Sequence, residues 1–259
     1  MSNGDAALRV RGLTRHFGGL TAVGDVDLDV AHGVCHTVIG PNGAGKTTLF
    51  KLVFGELTPS AGRIELFGRD VTALSVRRRV HLGVGRTFQN ASVFDGLNVG
   101  ENLQLALLGR ERRHLSLWPL SKRSELAPEH LAEEVGLGER MGVPSEDLSH
   151  GERRQLEIGM ALAGRPRMLL LDEPAAGLGA QERERLVELL RAMRGQRTLL
   201  LIEHDMDLAL GLGELVTMLH DGKVVAEGTP DEIKANALVH DLYLGGRARA
   251  AGEQVSGDE

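Results

Sequence analysis

Eight residues, Gly40-Pro41-Asn42-Gly43-Ala44-Gly45-Lys46-Thr47, leave the surrounding chain little freedom in how it folds. They read G-x-x-x-x-G-K-T, the spacing of a phosphate-binding loop, which works only between a strand and a helix. An apolar run at 34–39 precedes them and a helical pattern at 48–53 follows. Glycines let the backbone N–H groups from Asn42 to Thr48 close around phosphate oxygens at a helix N-terminus. Lys46 is placed to reach the β- and γ-phosphates, Thr47 to offer a hydroxyl to Mg²⁺, and Thr48 to add a donor to phosphate. The loop implies a nucleoside triphosphate without saying what its energy drives.

The chain has 259 residues, 42% of them hydrophobic, enough for one large domain with a small subdomain. A net charge of −6 argues against nucleic acid as a partner. The single cysteine, Cys35, falls in the apolar run and is read as a buried strand residue. The stretch 1–8 has neither a basic start nor an apolar core, so no signal peptide is expected. No apolar run reaches the ~18 residues that span a bilayer. A cytoplasmic protein that meets membranes through partners is expected.

Along the chain, Val26, Leu28 and Val30 alternate with Asp25, Asp27 and Asp29, predicting a half-buried antiparallel strand. Upstream of it, Phe17 reads from its residue type alone as a core aromatic. Thr72 is a candidate cap for a helix through Val76 and Val80. Arg77-Arg78-Arg79 reads as a solvated face. A strand is predicted at 83–88, with Gln89 at its end. The segment 90–162 reads as a mostly helical insertion, and 1–89 with 163–246 as the core around it; the tail 247–259 is expected to be disordered. Met168-Leu169-Leu170-Leu171 suits a strand buried on both faces. Asp172 and Glu173 end it, and Glu203 and His204 end the next such run, 198–202. Asp172 is the natural Mg²⁺ partner of the Thr47 hydroxyl, with Glu173 beside it and free to face an attacking water. Asp221-Gly222 signals a hairpin.

These residues, together with Leu148-Ser149-His150-Gly151-Glu152, resemble the nucleotide-binding subunits of ABC transporters over nearly the whole length. The five-residue stretch is similar to the family signature L-S-G-G-Q. The resemblance implies an α/β phosphate-loop NTPase core with an antiparallel β subdomain and a helical signature subdomain. It makes Phe17 the aromatic that stacks on adenine, Gln89 the glutamine that senses Mg²⁺ and water, Glu173 the catalytic base and His204 the switch histidine. It implies a head-to-tail dimer, in which one subunit's loop faces Ser149 and Gly151 of the other, with ATP and Mg²⁺ between.

Arg86-Thr87-Phe88-Gln89-Asn90, Glu203-His204-Asp205-Met206, the insertion with Trp118, and Tyr243-Leu244-Gly245 look like importers of branched-chain amino acids and related solutes. By that resemblance the partners are a second nucleotide-binding subunit, two transmembrane permease subunits and, indirectly, an extracytoplasmic solute-binding protein. The place is the cytoplasmic face of the cell membrane. The rivals are the ATPase of lipopolysaccharide export and a soluble ABC protein without transport. Two residues depart from the family pattern. Glu152 adds negative charge beside the signature and is expected to weaken ATP binding slightly. Gly179 stands where the family usually has Asp after Gly-Leu, which removes a side chain that links the two sites. The stretch around Trp118 is a candidate contact for the membrane subunits.

Overall fold

The computed structural model describes residues 6–87, 93–110 and 127–242. Gln89 with its neighbours Phe88 and Asn90, Trp118, Tyr243 and the tail 247–259, on which several expectations fall, lie outside them. The chain divides into two units, 1–79 with 198–259, and 80–197.

In the first unit, β1 (Ala6–Phe17) and β2 (Leu20–Ala31) form a long antiparallel hairpin. The predicted alternation holds: Val26, Leu28 and Val30 are buried while Asp25 and Asp27 are exposed. With β4 (Ala61–Leu66) and β5 (Arg69–Asp70) they make a sheet of order β2-β1-β4-β5. A second sheet is built on β3 (Cys35–Ile39), in which every residue is buried. It pairs in parallel with β8 (Thr198–Ile202) and β9 (Leu215–His220), and β10 (Lys223–Gly228) adds an antiparallel edge. The β9–β10 turn is the predicted one, since Asp221 and Gly222 both have positive φ, 47° and 76°. Helix α1 (Lys46–Phe54) follows β3, α2 (Val76–Leu82) lies at the unit boundary, and α7 (Met206–Leu212) and α8 (Pro230–Ala235) cover the second sheet.

Two expectations are corrected here. The arginine triplet is not a uniform solvated face: Arg77 and Arg78 are exposed, but Arg79 is 1% exposed. Its Nη1 donates to Leu52 O and Val53 O, both at 2.7 Å, and its Nη2 to Thr72 O at 3.2 Å. A helix leaves its last carbonyls without partners, and Arg79 supplies them for α1. Burial lowers its pKa to about 10, still leaving it charged. Thr72 caps no helix; its hydroxyl donates to Asp70 Oδ1 at 2.7 Å and accepts from Ile64 N at 2.9 Å, bracing the β4–β5 turn.

One core residue sets a pH limit. The Thr217 hydroxyl donates to Glu227 Oε2 (2.8 Å), so it accepts from His36 Nε2–H at 2.7 Å. His36 is fully buried, its Nδ1 has no partner, and burial pulls its pKa down to about 4. The folded chain therefore holds this imidazole neutral while the unfolded chain protonates it near 6.5. Stability is complete above about pH 6.5 and falls as pH drops toward 4, by about 3 kcal/mol from this group. Thermal melts at pH 7.5 and 4.5 should show a smaller acid loss for His36→Gln than for the parent; equal losses would contradict this.

In the second unit, β6 (Val84–Arg86) and β7 (Met168–Asp172) pair in parallel, with Arg86 opposite Leu170. Helices α3 (Val99–Arg110), α4 (Pro128–Glu134) and α5 (His150–Leu162) pack on one another, and α6 (Ala180–Ala192) follows β7. Among the described residues no helix is long and apolar enough to cross a membrane.

Candidate functional site

In the first unit the loop 40–47 leaves the carboxyl end of β3, the usual place for a ligand in a parallel sheet. Its glycines are required by space. A Cβ on Gly40 would stand 2.1 Å from Leu219 O, and one on Gly45 2.3 Å from Ala22 O. Gly45 has φ 100° and is the N-cap of α1, with no side-chain cap and no acid in the first turn. That helix start is left for an anion to complete. Gly43 faces open space, and Asn42 is exposed. Ala44 is buried, while Thr47 and Thr48 in the first turn are partly exposed. Lys46 is only 6% exposed; its Nζ donates to Gly40 O at 2.6 Å and Pro41 O at 3.0 Å, which pins the ammonium across the loop.

His204 is exposed just past β8, the parallel neighbour of β3, so it shares the carboxyl edge with the loop. The next residue, Asp205, caps α7 by accepting from Leu208 N. Phe17 ends β1 and is 44% exposed, with the Arg15 guanidinium 4.8 Å from its ring centroid. It is a surface aromatic, not the core residue its type suggests. Ala22, on the same hairpin, is the residue whose carbonyl closes on Gly45.

In the second unit Asp172 ends β7 and is 1% exposed. Its Oδ2 lies 3.3 Å from Arg86 Nη2, and its buried Oδ1 has no hydrogen-bond partner. Burial raises its pKa, the nearby Glu173 charge adds to this, and Arg86 and Arg154 oppose it. A buried carboxylate with an orphaned oxygen fits a hard cation such as Mg²⁺, whose ligands are oxygens. Glu173 follows with φ 46°, in the left-handed region unusual for a residue with a side chain.

Ser149 is the N-cap of α5, in a full capping box with Glu152. Glu152 Oε2 accepts from Ser149 N at 2.9 Å and its Oε1 pairs with Arg140 at 2.9 Å. Its charge is thus shared with the helix cap and with an arginine. Gly151 is buried, and its N–H donates to Glu182 Oε1 at 2.9 Å, while Glu182 Oε2 accepts from Gly179 N at 3.2 Å. These bonds, with one from Ser149, hold Glu182 below the usual carboxylate range. Glu182 stands at the third position of α6. Its place three residues after Gly179, a helix start, was the signal for these bonds.

Gly179 has φ −66° and is the N-cap of α6; the positive φ in this turn belongs to Gly177, at 76°. Alanine at 179 meets only ordinary contact, 3.8 Å from Glu182 Oε2. Gly179→Ala is expected to cost up to about 1 kcal/mol through the weaker cap and to leave ATP hydrolysis near the parent rate. A large loss of cooperativity in hydrolysis, with the fold intact, would contradict this.

Fold and site together define a phosphate-loop nucleotide-binding cassette. The sequence model for "ABC transporter" matches residues 23–176, and that for "Branched-chain amino acid ATP-binding cassette transporter" matches 223–249. The chain is 39% identical over 252 residues to the high-affinity branched-chain amino acid transport ATP-binding protein BraF of Pseudomonas aeruginosa, covering 92% of this chain and 97% of that one. It is also 39% identical over 241 residues to the lipopolysaccharide export system ATP-binding protein LptB of Acidithiobacillus ferridurans, covering 92% and 96%. A crystal structure of the ADP conformation of MJ1267, an ATP-binding cassette of an ABC transporter, superposes with a TM-score of 0.82 at 27% identity, covering 93% of this chain and 99% of that one. The chain belongs to the ABC transporter family, as one of its ATP-binding subunits. It has the ABC ATPase fold, and its activity is ATP hydrolysis coupled to transport.

Proposed function

We propose that this subunit powers import of branched-chain amino acids or closely related solutes from the cytoplasmic face of the cell membrane. The observation that carries the reading is the match of 223–249 to the branched-chain amino acid cassette model. Overall identity does not separate the importer from lipopolysaccharide export, since BraF and LptB stand at 39% alike. Glu203-His204-Asp205 and the stretch 86–90 favour the importer.

The residue roles follow from charge and geometry. Asn42, Gly43, Ala44, Gly45 and Thr48 offer N–H groups to the phosphates, and Lys46 brings positive charge to the β- and γ-phosphates. Thr47, Asp172 and Gln89 are the oxygen donors for Mg²⁺, which when bound neutralises phosphate charge. Phe17 stacks on the adenine, and Ser149 with Gly151 reads the γ-phosphate held by a second copy or a paralogue. Glu173 takes the proton of the attacking water or aligns it, and His204 donates to the γ-phosphate as charge moves outward. Closure of the two subunits then moves two permease subunits, which take solute from an extracytoplasmic binding protein. The helical segment 90–162 is where the permeases dock. A groove there, lined by Leu97, Gln104, Leu105, Leu108 and Met141, offers mostly apolar surface.

Affinity purification of the tagged chain from detergent-solubilised membranes tests this. Two polytopic membrane proteins and a second nucleotide-binding subunit should co-purify. Recovery with lipopolysaccharide-export components, or with ribosomes alone, would overturn it.

A further inference from the structure

Arg154 stands on α5, five residues past the Ser149 cap, and its side chain is 13% exposed. It makes no contact that family resemblance assigned. Its Nε donates to Pro174 O at 2.9 Å, and its Nη2 to Asp172 O at 3.0 Å and Glu173 O at 2.9 Å. Its Nη1 donates to Glu157 Oε2 at 2.6 Å, one turn along the same helix. A single guanidinium thus gathers the carbonyls of three successive residues, with Glu173 in the middle.

An extended strand cannot present such a target, because its successive carbonyls point to opposite sides. They converge here because Glu173 turns the chain with φ 46°. A residue with a side chain holds that conformation only where its surroundings over-determine it. The Ala176 N–H, which donates to Glu173 O at 3.1 Å, closes the turn from within, and Arg154 holds it from outside, since its planar fork fits the turned backbone and not the extended one. Glu157 holds the fork in place, its own side chain 9% exposed. The direction of the Glu173 Cα–Cβ bond then depends on Arg154.

We infer that Arg154 is a positioning residue for ATP hydrolysis, fixing the backbone turn that aims the Glu173 carboxylate, with Glu157 as its anchor. This rests on the reading of Glu173 as the base. Arg154 touches neither nucleotide nor water in this account, so its loss should slow chemistry and spare binding. Misplacing a reacting group by about 1 Å costs on the order of 100-fold in rate.

The test uses the full chain assembled with its membrane subunits. Arg154→Lys keeps the charge but, as a point donor, cannot span three carbonyls. Its kcat should fall about 10-fold or more, with KM for ATP and affinity for a fluorescent ATP analogue within about twofold of the parent. In a Glu173→Gln background the same substitution should cost nothing further, because the group it aims is already gone. A merely structural role would instead lower Tm, raise KM and slow both backgrounds alike. If Arg154→Lys does not assemble, Glu157→Gln loosens the fork and should show the same kcat loss and the same masking by Glu173→Gln. A parent-like kcat in these variants, or losses that multiply in the double variant, overturns the inference while leaving Glu173 as base. A parent-like rate in Glu173→Gln alone overturns the base reading, and this inference falls with it.

Discussion

Glu173→Gln should bind Mg-ATP as tightly as the parent, stay closed as a dimer, and lose hydrolysis by about 10²–10⁴-fold. Glutamine keeps the size of the side chain and its capacity to hydrogen-bond, but it is a far poorer base. The groups proposed to hold nucleotide and metal, Lys46, Thr47 and Asp172, are untouched. The backbone turn at 173 should survive as well, because Arg154 bonds the main-chain carbonyls of 172–174 and not the side chain. Size-exclusion chromatography with and without Mg-ATP, beside phosphate release from the assembled complex, reads both halves. Hydrolysis near the parent rate would remove Glu173 from the chemistry.

Lys46→Ala should fail in a different way, at binding. The substitution removes a charge-assisted contact to phosphate, worth about 1.5–3 kcal/mol, or roughly 10- to 150-fold in affinity. It also frees the carbonyls of Gly40 and Pro41 that Nζ now holds, so the loop loses an internal tie as well. Hydrolysis should fall further than binding, because the ammonium also meets charge that grows on the transferring phosphoryl group. Equilibrium binding of a fluorescent ATP analogue should show the weaker affinity and, with Mg-ATP, no closed dimer. Parent-like affinity in Lys46→Ala would show that the ammonium does not reach the phosphates.

The two variants also mark what the sequence could and could not disclose. The phosphate loop was legible because its donors, its glycines and its lysine are contiguous, and steric closure by Leu219 O and Ala22 O only explains why glycine is needed. The same holds for the Asp221-Gly222 hairpin and the buried strands β3, β7 and β8, which all depend on near neighbours. Residues whose partners lie far along the chain were misjudged or passed over. Arg79 looked solvated beside Arg77 and Arg78, yet it donates to the end-of-helix carbonyls of 52 and 53. Glu182 bonds Gly151, and Arg154 bonds the turn at 172–174. No local pattern announces such pairs. The sequence does not say which glycine of the turn takes positive φ; it is Gly177, while Gly179 caps α6.

Transport itself is the most direct measurement. The chain is reconstituted in proteoliposomes with its two membrane subunits and the second nucleotide-binding subunit that co-purifies with it, with Mg-ATP inside and the solute-binding protein and labelled leucine, isoleucine or valine outside. The account predicts uptake that requires internal ATP and vanishes with Glu173→Gln. A wild-type complex that hydrolyses ATP yet accumulates none of the three, or that instead extracts lipopolysaccharide from the bilayer, would contradict it.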